Sequence, residues 1–219
     1  MLLIWLDTET ADLDPLKHAV LELAVGIADL AAPFDLKTMD RFVLRYTDSH
    51  TYGMLCGEPG SEIAGLGMDN GPCAACNFSL EARAMHEKSG LLAECARSPT
   101  TMGEVEAHLL TLIEGEPERG DDKPTLAGST VHFDRGFLRV AAPRFTARLS
   151  HRHYDVSAVK LFCESLGMPR IPKAQAHRAL EDVAESVDHA QRCVLWLLGE
   201  RPKRGLVPLG GLERVGGEP

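Results

Sequence analysis

The sequence predicts a single α/β domain built on a mixed central sheet with helices on both faces. Three observations carry this. The chain opens with a wholly apolar run, Leu2-Leu3-Ile4-Trp5-Leu6, which reads as a strand buried on both sides. Two more strand-like segments, near 19–29 and 37–47, complete an opening meander. From residue 79 onward, helical periodicity alternates with short apolar segments, an order that suits a layered α/β domain. With 219 residues, 44% of them hydrophobic, the chain is long enough for one core.

The first strand, near 2–7, ends in Asp7-Thr8-Glu9. Side chains two apart on a strand point to the same side, so two carboxylates meet where a core strand ends. Such acids repel each other and are costly to bury. A divalent cation relieves both problems, and oxygen-rich carboxylate clusters suit Mg²⁺ or Mn²⁺. A strand running into an acidic loop would give the same three residues, so this short motif decides nothing by itself.

Helices are expected near 79–96, 101–115, 134–141, 157–166 and 178–198, with short strands near 125–128 and 153–155. Residues 126–138 read as strand, Gly-containing turn and helix. Asp134 stands at that helix start, where the macrodipole alone would favour an acid, and Phe137, Leu138 and Ala141 form its buried face. In the last helix, Leu180, Val183, Val187, Ala190, Val194 and Leu197 recur at three- and four-residue intervals, the buried stripe of an amphipathic helix. Asp182 flanks that stripe and can reach inward. His177, five residues earlier, falls at the helix start or in the loop before it, where an imidazole suits a general base. Taken singly, His177 also reads as a cap and Asp182 as a solvated acid. Glu114 to Pro124 reads as a solvated connection. Residues 199–219, rich in Gly, Pro and charge, are expected to be a disordered tail.

Together, Asp7, Glu9, Asp134, His177 and Asp182 follow the order D-x-E, distant D, H-x₄-D. That pattern resembles the DEDD exonucleases, in the subgroup whose base is histidine. Within it, Asp7-Thr8-Glu9-Thr10-Ala11-Asp12-Leu13-Asp14-Pro15 and Val131-His132-Phe133-Asp134-Arg135-Gly136-Phe137-Leu138 are similar to oligoribonuclease segments. So are His86-Glu87-Lys88-Ser89-Gly90-Leu91, His151-Arg152-His153-Tyr154-Asp155-Val156-Ser157 and His177 through Asp182 with Glu185-Ser186. The resemblance covers residues 1–47 and 84–198. It implies a ribonuclease-H-like fold over 1–198 and two-metal, 3′–5′ hydrolysis of short single-stranded RNA to nucleoside 5′-monophosphates.

By the same resemblance, Asp7, Glu9, Asp134 and Asp182 would hold two divalent cations, Mg²⁺ or Mn²⁺, and His177 would be the base. Leu13 would wedge against a base. Arg152, Ser157 and Thr130 would cap a 5′ phosphate, and His86 and Ser89 would line the substrate site. The family's aromatic-Arg element acts across a homodimer, which is therefore expected here, with His151 or His153 in the aromatic role.

The chain departs from the family where substrate is recognised. A Trp shortly before the H-x-x-S-G-L segment is missing; the only two are Trp5 and Trp196. His151 stands where the family has Tyr, and residues 48–84 are longer than their counterpart. That Cys- and Gly-rich insertion contains Cys56, Cys73 and Cys76 in a C-x₁₆-C-x₂-C spacing. Either they hold a structural Zn²⁺ with His50 or His86 as fourth ligand, or they are free thiols.

The formal net charge is −9. Proteins that track long nucleic acid usually show basic patches, so this balance favours a compact substrate gripped locally. No apolar run reaches the length of a membrane span, no signal peptide is apparent, and six Cys without one suggest a reducing compartment. A cytoplasmic enzyme without membrane contact is expected. Two other readings remain open: a single-strand DNA or proofreading-type 3′–5′ exonuclease, and a non-catalytic nucleic-acid-binding module.

Overall fold

The computed structural model describes residues 1–16, 18–45, 78, 80–117, 122–172 and 177–199. Its strands are β1 (Leu2–Thr10), β2 (Val20–Asp29), β3 (Thr38–Val43), β4 (Thr125–Gly128) and β5 (His153–Asp155). They form one mixed sheet in the order β3-β2-β1-β4-β5. β1 to β3 are antiparallel neighbours, while β4 and β5 add in parallel. The apolar opening run thus occupies the centre. Leu2, Ile4 and Leu6 point to one face and Leu3 and Trp5 to the other, which is why the run is continuous rather than alternating.

The helices are α1 (Leu80–Lys88), α2 (Leu91–Cys95), α3 (Met102–Leu112), α4 (His132–Ala141), α5 (Pro143–Arg148), α6 (Val156–Ser165) and α7 (Ala179–Leu197). On one face, Val105 and Leu109 of α3, Phe137 and Leu138 of α4 and Phe145 of α5 pack against Ile4 and Leu6. On the other, Ala179, Val183, Val187 and Ala190 of α7 pack against Leu3, Trp5, Ala24 and Ala28. Trp5 is fully buried and its indole N–H donates to the Pro33 carbonyl at 2.7 Å. Thr101 and Glu104 close a capping box on α3, and the Asp155 carboxylate accepts from the Ser157 and Ala158 amides to start α6.

Four expectations are corrected. The helix expected over 79–96 is two helices, because Gly90 takes a left-handed φ of 77° between them. Residues Pro143–Arg148 form an unforeseen helix with Pro in its first turn, short enough to leave no periodic signal. β1 continues to Thr10 rather than ending near residue 7, so Glu9 as well as Asp7 lies within the strand. The stripe of α7 does not end on Val194 and Leu197; Leu197 is exposed and Cys193 is buried instead. There the helix has passed the sheet and packs beside Cys163 and Met168.

Among the described residues, no helix is long and apolar enough to cross a membrane, and Cys95, Cys163 and Cys193 are buried free thiols. Cys56, Cys73, Cys76, His50 and all but a few residues of the insertion lie outside the described residues, as does the tail from 200 onward.

β1 and β4 approach closely at Gly128, where an added Cβ would sit 2.5 Å from the Leu6 carbonyl oxygen. Gly128→Ala must therefore push β4 away from β1 next to Asp7. We expect it to cost about 1–3 kcal/mol, the usual penalty for overpacking, in urea unfolding. A loss below about 0.5 kcal/mol would show that the strands separate freely.

Candidate functional site

Asp7 and Glu9 leave β1 on the face covered by α7, and Asp182 comes from the first turn of that helix. Oxygens of all three carboxylates lie within 4.8 Å of one another. Glu9 and Asp182 are buried and Asp7 is half-buried. At such spacing and an effective dielectric near 20, each pair repels by on the order of 3 kcal/mol. A three-carboxylate, all-oxygen donor set with that much like charge fits a hard divalent cation.

Asp134 stands outside this cluster. It lies in the first turn of α4, beneath the other face of β1. Its Oδ1 accepts from the Thr8 amide at 2.9 Å and the Thr8 hydroxyl at 2.7 Å. Burial pushes the Asp134 carboxyl up to about 7, against the downward pull of those two hydrogen bonds. Thr8 points away from its acidic neighbours, so one strand presents carboxylates on one side and fastens a fourth from the other.

His177 immediately precedes Arg178, the N-cap of α7, and has a φ of 49°. Non-glycine residues visit that region only when their surroundings impose it. His86 is fully buried, with Nε2 2.9 Å from the Thr10 carbonyl and Nδ1 4.0 Å from Glu9. Burial holds its imidazole below the ordinary value, with His177 pushing the same way and the Thr10 bond opposing. The Ser89 hydroxyl donates to the His86 carbonyl at 3.2 Å. His86 therefore braces the end of β1 from within, and Ser89 holds the end of α1 that carries it.

Leu13 is 75% exposed on the β1–β2 connection, and the neighbouring Leu16, which sequence reasoning passed over, is 74% exposed. Thr130 and Ser157 are brought together, their hydroxyls 2.9 Å apart, and both amides donate to Asp155 Oδ1. Arg152 is exposed just before β5.

Sequence reasoning missed the anchors of this site. Glu22 on β2 lies directly opposite Glu9 in the β1–β2 register and is fully buried. Its carboxylate accepts from Arg41 Nε, from Arg178 Nε at 3.2 Å and Nη2 at 3.1 Å, and from the Ala179 amide at 3.0 Å. Arg178 also donates to Glu94 at 2.9 Å and to the Ser89 carbonyl at 3.3 Å. The available signal was a lone acid inside the apolar run Val20 to Val25; an acid buried in a central strand needs partners.

No family model matches the chain. Among curated proteins, the oligoribonuclease of Corynebacterium glutamicum (strain R) is 31% identical over 190 residues, spanning 84% of this chain and 74% of that protein. The probable oligoribonuclease of Dictyostelium discoideum is 29% identical over 192 residues, 85% of each chain. Among solved structures, E. coli exonuclease I bound to single-stranded DNA superposes with a TM-score of 0.56 at 14% identity. That match covers 90% of this chain and 43% of exonuclease I, so this chain spans under half of that enzyme, and the likeness is one of fold. The mixed sheet flanked by helices is thus the ribonuclease-H-like exonuclease fold, and the sequence likeness goes further: the chain belongs to the oligoribonuclease family.

Proposed function

We propose that this protein is a metal-dependent 3′–5′ exoribonuclease that degrades short single-stranded RNA to nucleoside 5′-monophosphates. The observation that carries this reading is the convergence of Asp7, Glu9 and Asp182 beside the anchored Asp134. Family membership supports it independently.

Asp7, Glu9, Asp182 and Asp134 would hold two divalent cations, Mg²⁺ or Mn²⁺, the first three acids forming the cluster already brought together. When bound, such ions supply Lewis acidity toward a phosphodiester and favour the ionised form of water. His177 takes the proton of the attacking water. The water oxygen bonds to phosphorus as the bond from phosphorus to the 3′ oxygen of the upstream nucleotide breaks; that oxygen takes a proton from solvent, and the terminal nucleoside 5′-monophosphate leaves.

Leu13 packs against a base, which its exposure supports. Arg152, Thr130 and Ser157 cap the 5′ phosphate; the guanidinium fork suits phosphate oxygens, and the two hydroxyls already lie side by side. His86 and Ser89 serve the site from beneath, through Thr10 and the start of α2. A homodimer brings His151 or His153 of one protomer to the substrate of the other. The enzyme works in the cytoplasm on products of RNA turnover. A single-strand DNA exonuclease is the second reading; no Trp stands near His86 to stack on a base.

Three outcomes test these assignments. In excess chelator, Asp7→Asn should melt at a higher temperature than the wild type, because it relieves like-charge repulsion. It should also lose the stabilisation that Mn²⁺ gives and retain no more than about a thousandth of the activity. A variant that still responds fully to Mn²⁺ would remove Asp7 from the site.

His177→Ala should slow turnover by about a hundred- to ten-thousandfold, the usual contribution of a general base, with substrate binding nearly unchanged. Cleavage at the wild-type rate at pH 7 would take the base role from His177.

Labelled RNA and DNA of two to twenty nucleotides separate the two substrate readings. Diribonucleotides through about pentamers should be cleaved faster than 20-mers, and Arg152→Ala should lower efficiency on 5′-phosphorylated dinucleotides by about ten- to a hundredfold. Equal rates on a DNA 20-mer and a dinucleotide, with Arg152→Ala affecting both alike, would establish the DNA exonuclease reading instead.

A further inference from the structure

We infer that Glu22 is a positioning residue of the hydrolytic site: from β2 it grips Arg178 and the first amide of α7, and through them sets where His177 stands. The inference rests on the function proposed above.

The start of α7 has an unmet need. A helix N-terminus leaves its first N–H groups without intrahelical partners, and a side-chain acceptor at the N-cap usually serves one of them. Here the N-cap is Arg178, which carries only donors, and no side chain of its own caps the helix. Glu22 supplies the acceptor from a different strand, taking the Ala179 amide on Oε2.

Glu22 stands in a costly place for that task. It lies opposite Glu9, and like charges directly across an antiparallel pair are unfavourable. A buried carboxylate persists there because donors fully surround it. Arg41 reaches it from β3, and Arg178 meets it with two nitrogens. Glu94 of α2 ties the two arginines together, at 2.5 Å from Arg41 and 2.9 Å from Arg178. The Ser89 carbonyl holds a further Arg178 nitrogen. The side chain next to His177 is therefore fixed to three separate parts of the fold.

His177 itself has a left-handed φ of 49°. An imidazole held in that conformation needs surroundings that over-determine it, and the clamp on the following residue provides them. A general base must be held within hydrogen-bond reach of the proton it takes, so loosening the clamp should reduce turnover rather than substrate affinity.

Glu22→Gln is the variant to make: it keeps the shape but places an amide N–H₂ among donors. We expect kcat on a 5′-phosphorylated diribonucleotide to fall about ten- to a hundredfold with KM within about twofold, as for a misplaced general base. Added to His177→Ala, Glu22→Gln should cost less than about twofold more, because groups acting as one unit are not additive. Hydrogen exchange across residues 177–183 should quicken, a readout that does not depend on activity. Arg178→Lys, which keeps the charge and loses the fork, should reproduce a milder form of each effect and stands in if Glu22→Gln fails to fold. A full additional tenfold loss on top of His177→Ala would overturn the inference, as would unchanged exchange over 177–183. A wild-type protein that cleaves no RNA would instead count against the proposed function, with the exchange measurement still deciding the clamp.

Discussion

Three carboxylates whose oxygens lie within 4.8 Å of one another repel, and much of this fold can be understood as what keeps them together. Asp7 and Glu9 cannot separate, because they are successive same-face positions of the central strand. That strand is held on both sides by neighbours and on both faces by helices. Asp182 cannot retreat, because Ala179, Val183 and Val187 seat its helix on Leu3, Trp5 and Ala24. Apolar burial thus offsets an electrostatic cost that the acids would otherwise relieve by moving apart.

The same strand organises the rest of the site. Its Thr8 faces away from the cluster and fixes Asp134 with an amide and a hydroxyl. Its Glu9 faces Glu22 across the ladder, and Glu22 in turn fastens the start of α7. Gly128 lets β4 come close enough to carry Thr130 toward Ser157. The two faces of the sheet therefore meet at the C-terminal end of its central strand, one supplying the carboxylate cluster and the other its anchored fourth acid.

What was legible in the sequence follows from range. The D-x-E spacing on an apolar strand and the H-x₄-D spacing at a helix start are local facts, and local periodicity places both correctly. The resemblance to oligoribonucleases joined segments that physics alone could not have joined, since nothing in residues 7–9 says that residue 182 packs above them. The anchors were not legible in this way. Glu22 looked like one more acid in a chain of net charge −9, although its apolar neighbours marked it as buried. Arg178 sat unremarked inside a motif whose other letters carried the chemistry. The bonds from His86 Nε2 to the Thr10 carbonyl and from the Ser89 hydroxyl to the His86 carbonyl likewise join segments far apart in the sequence or depend on how a helix ends. The break at Gly90 and the short helix Pro143–Arg148 depend on packing that no single-segment pattern contains.

Asp7, Glu9 and Asp182 are proposed to form a divalent-cation site. The most direct test is the anomalous scattering of Mn²⁺ in crystals of the protein grown with that ion. A peak coordinated by Asp7, Glu9 and Asp182 is expected, with a second near Asp134 once a nucleotide is bound. Manganese found only elsewhere, with these carboxylates turned apart, would contradict it.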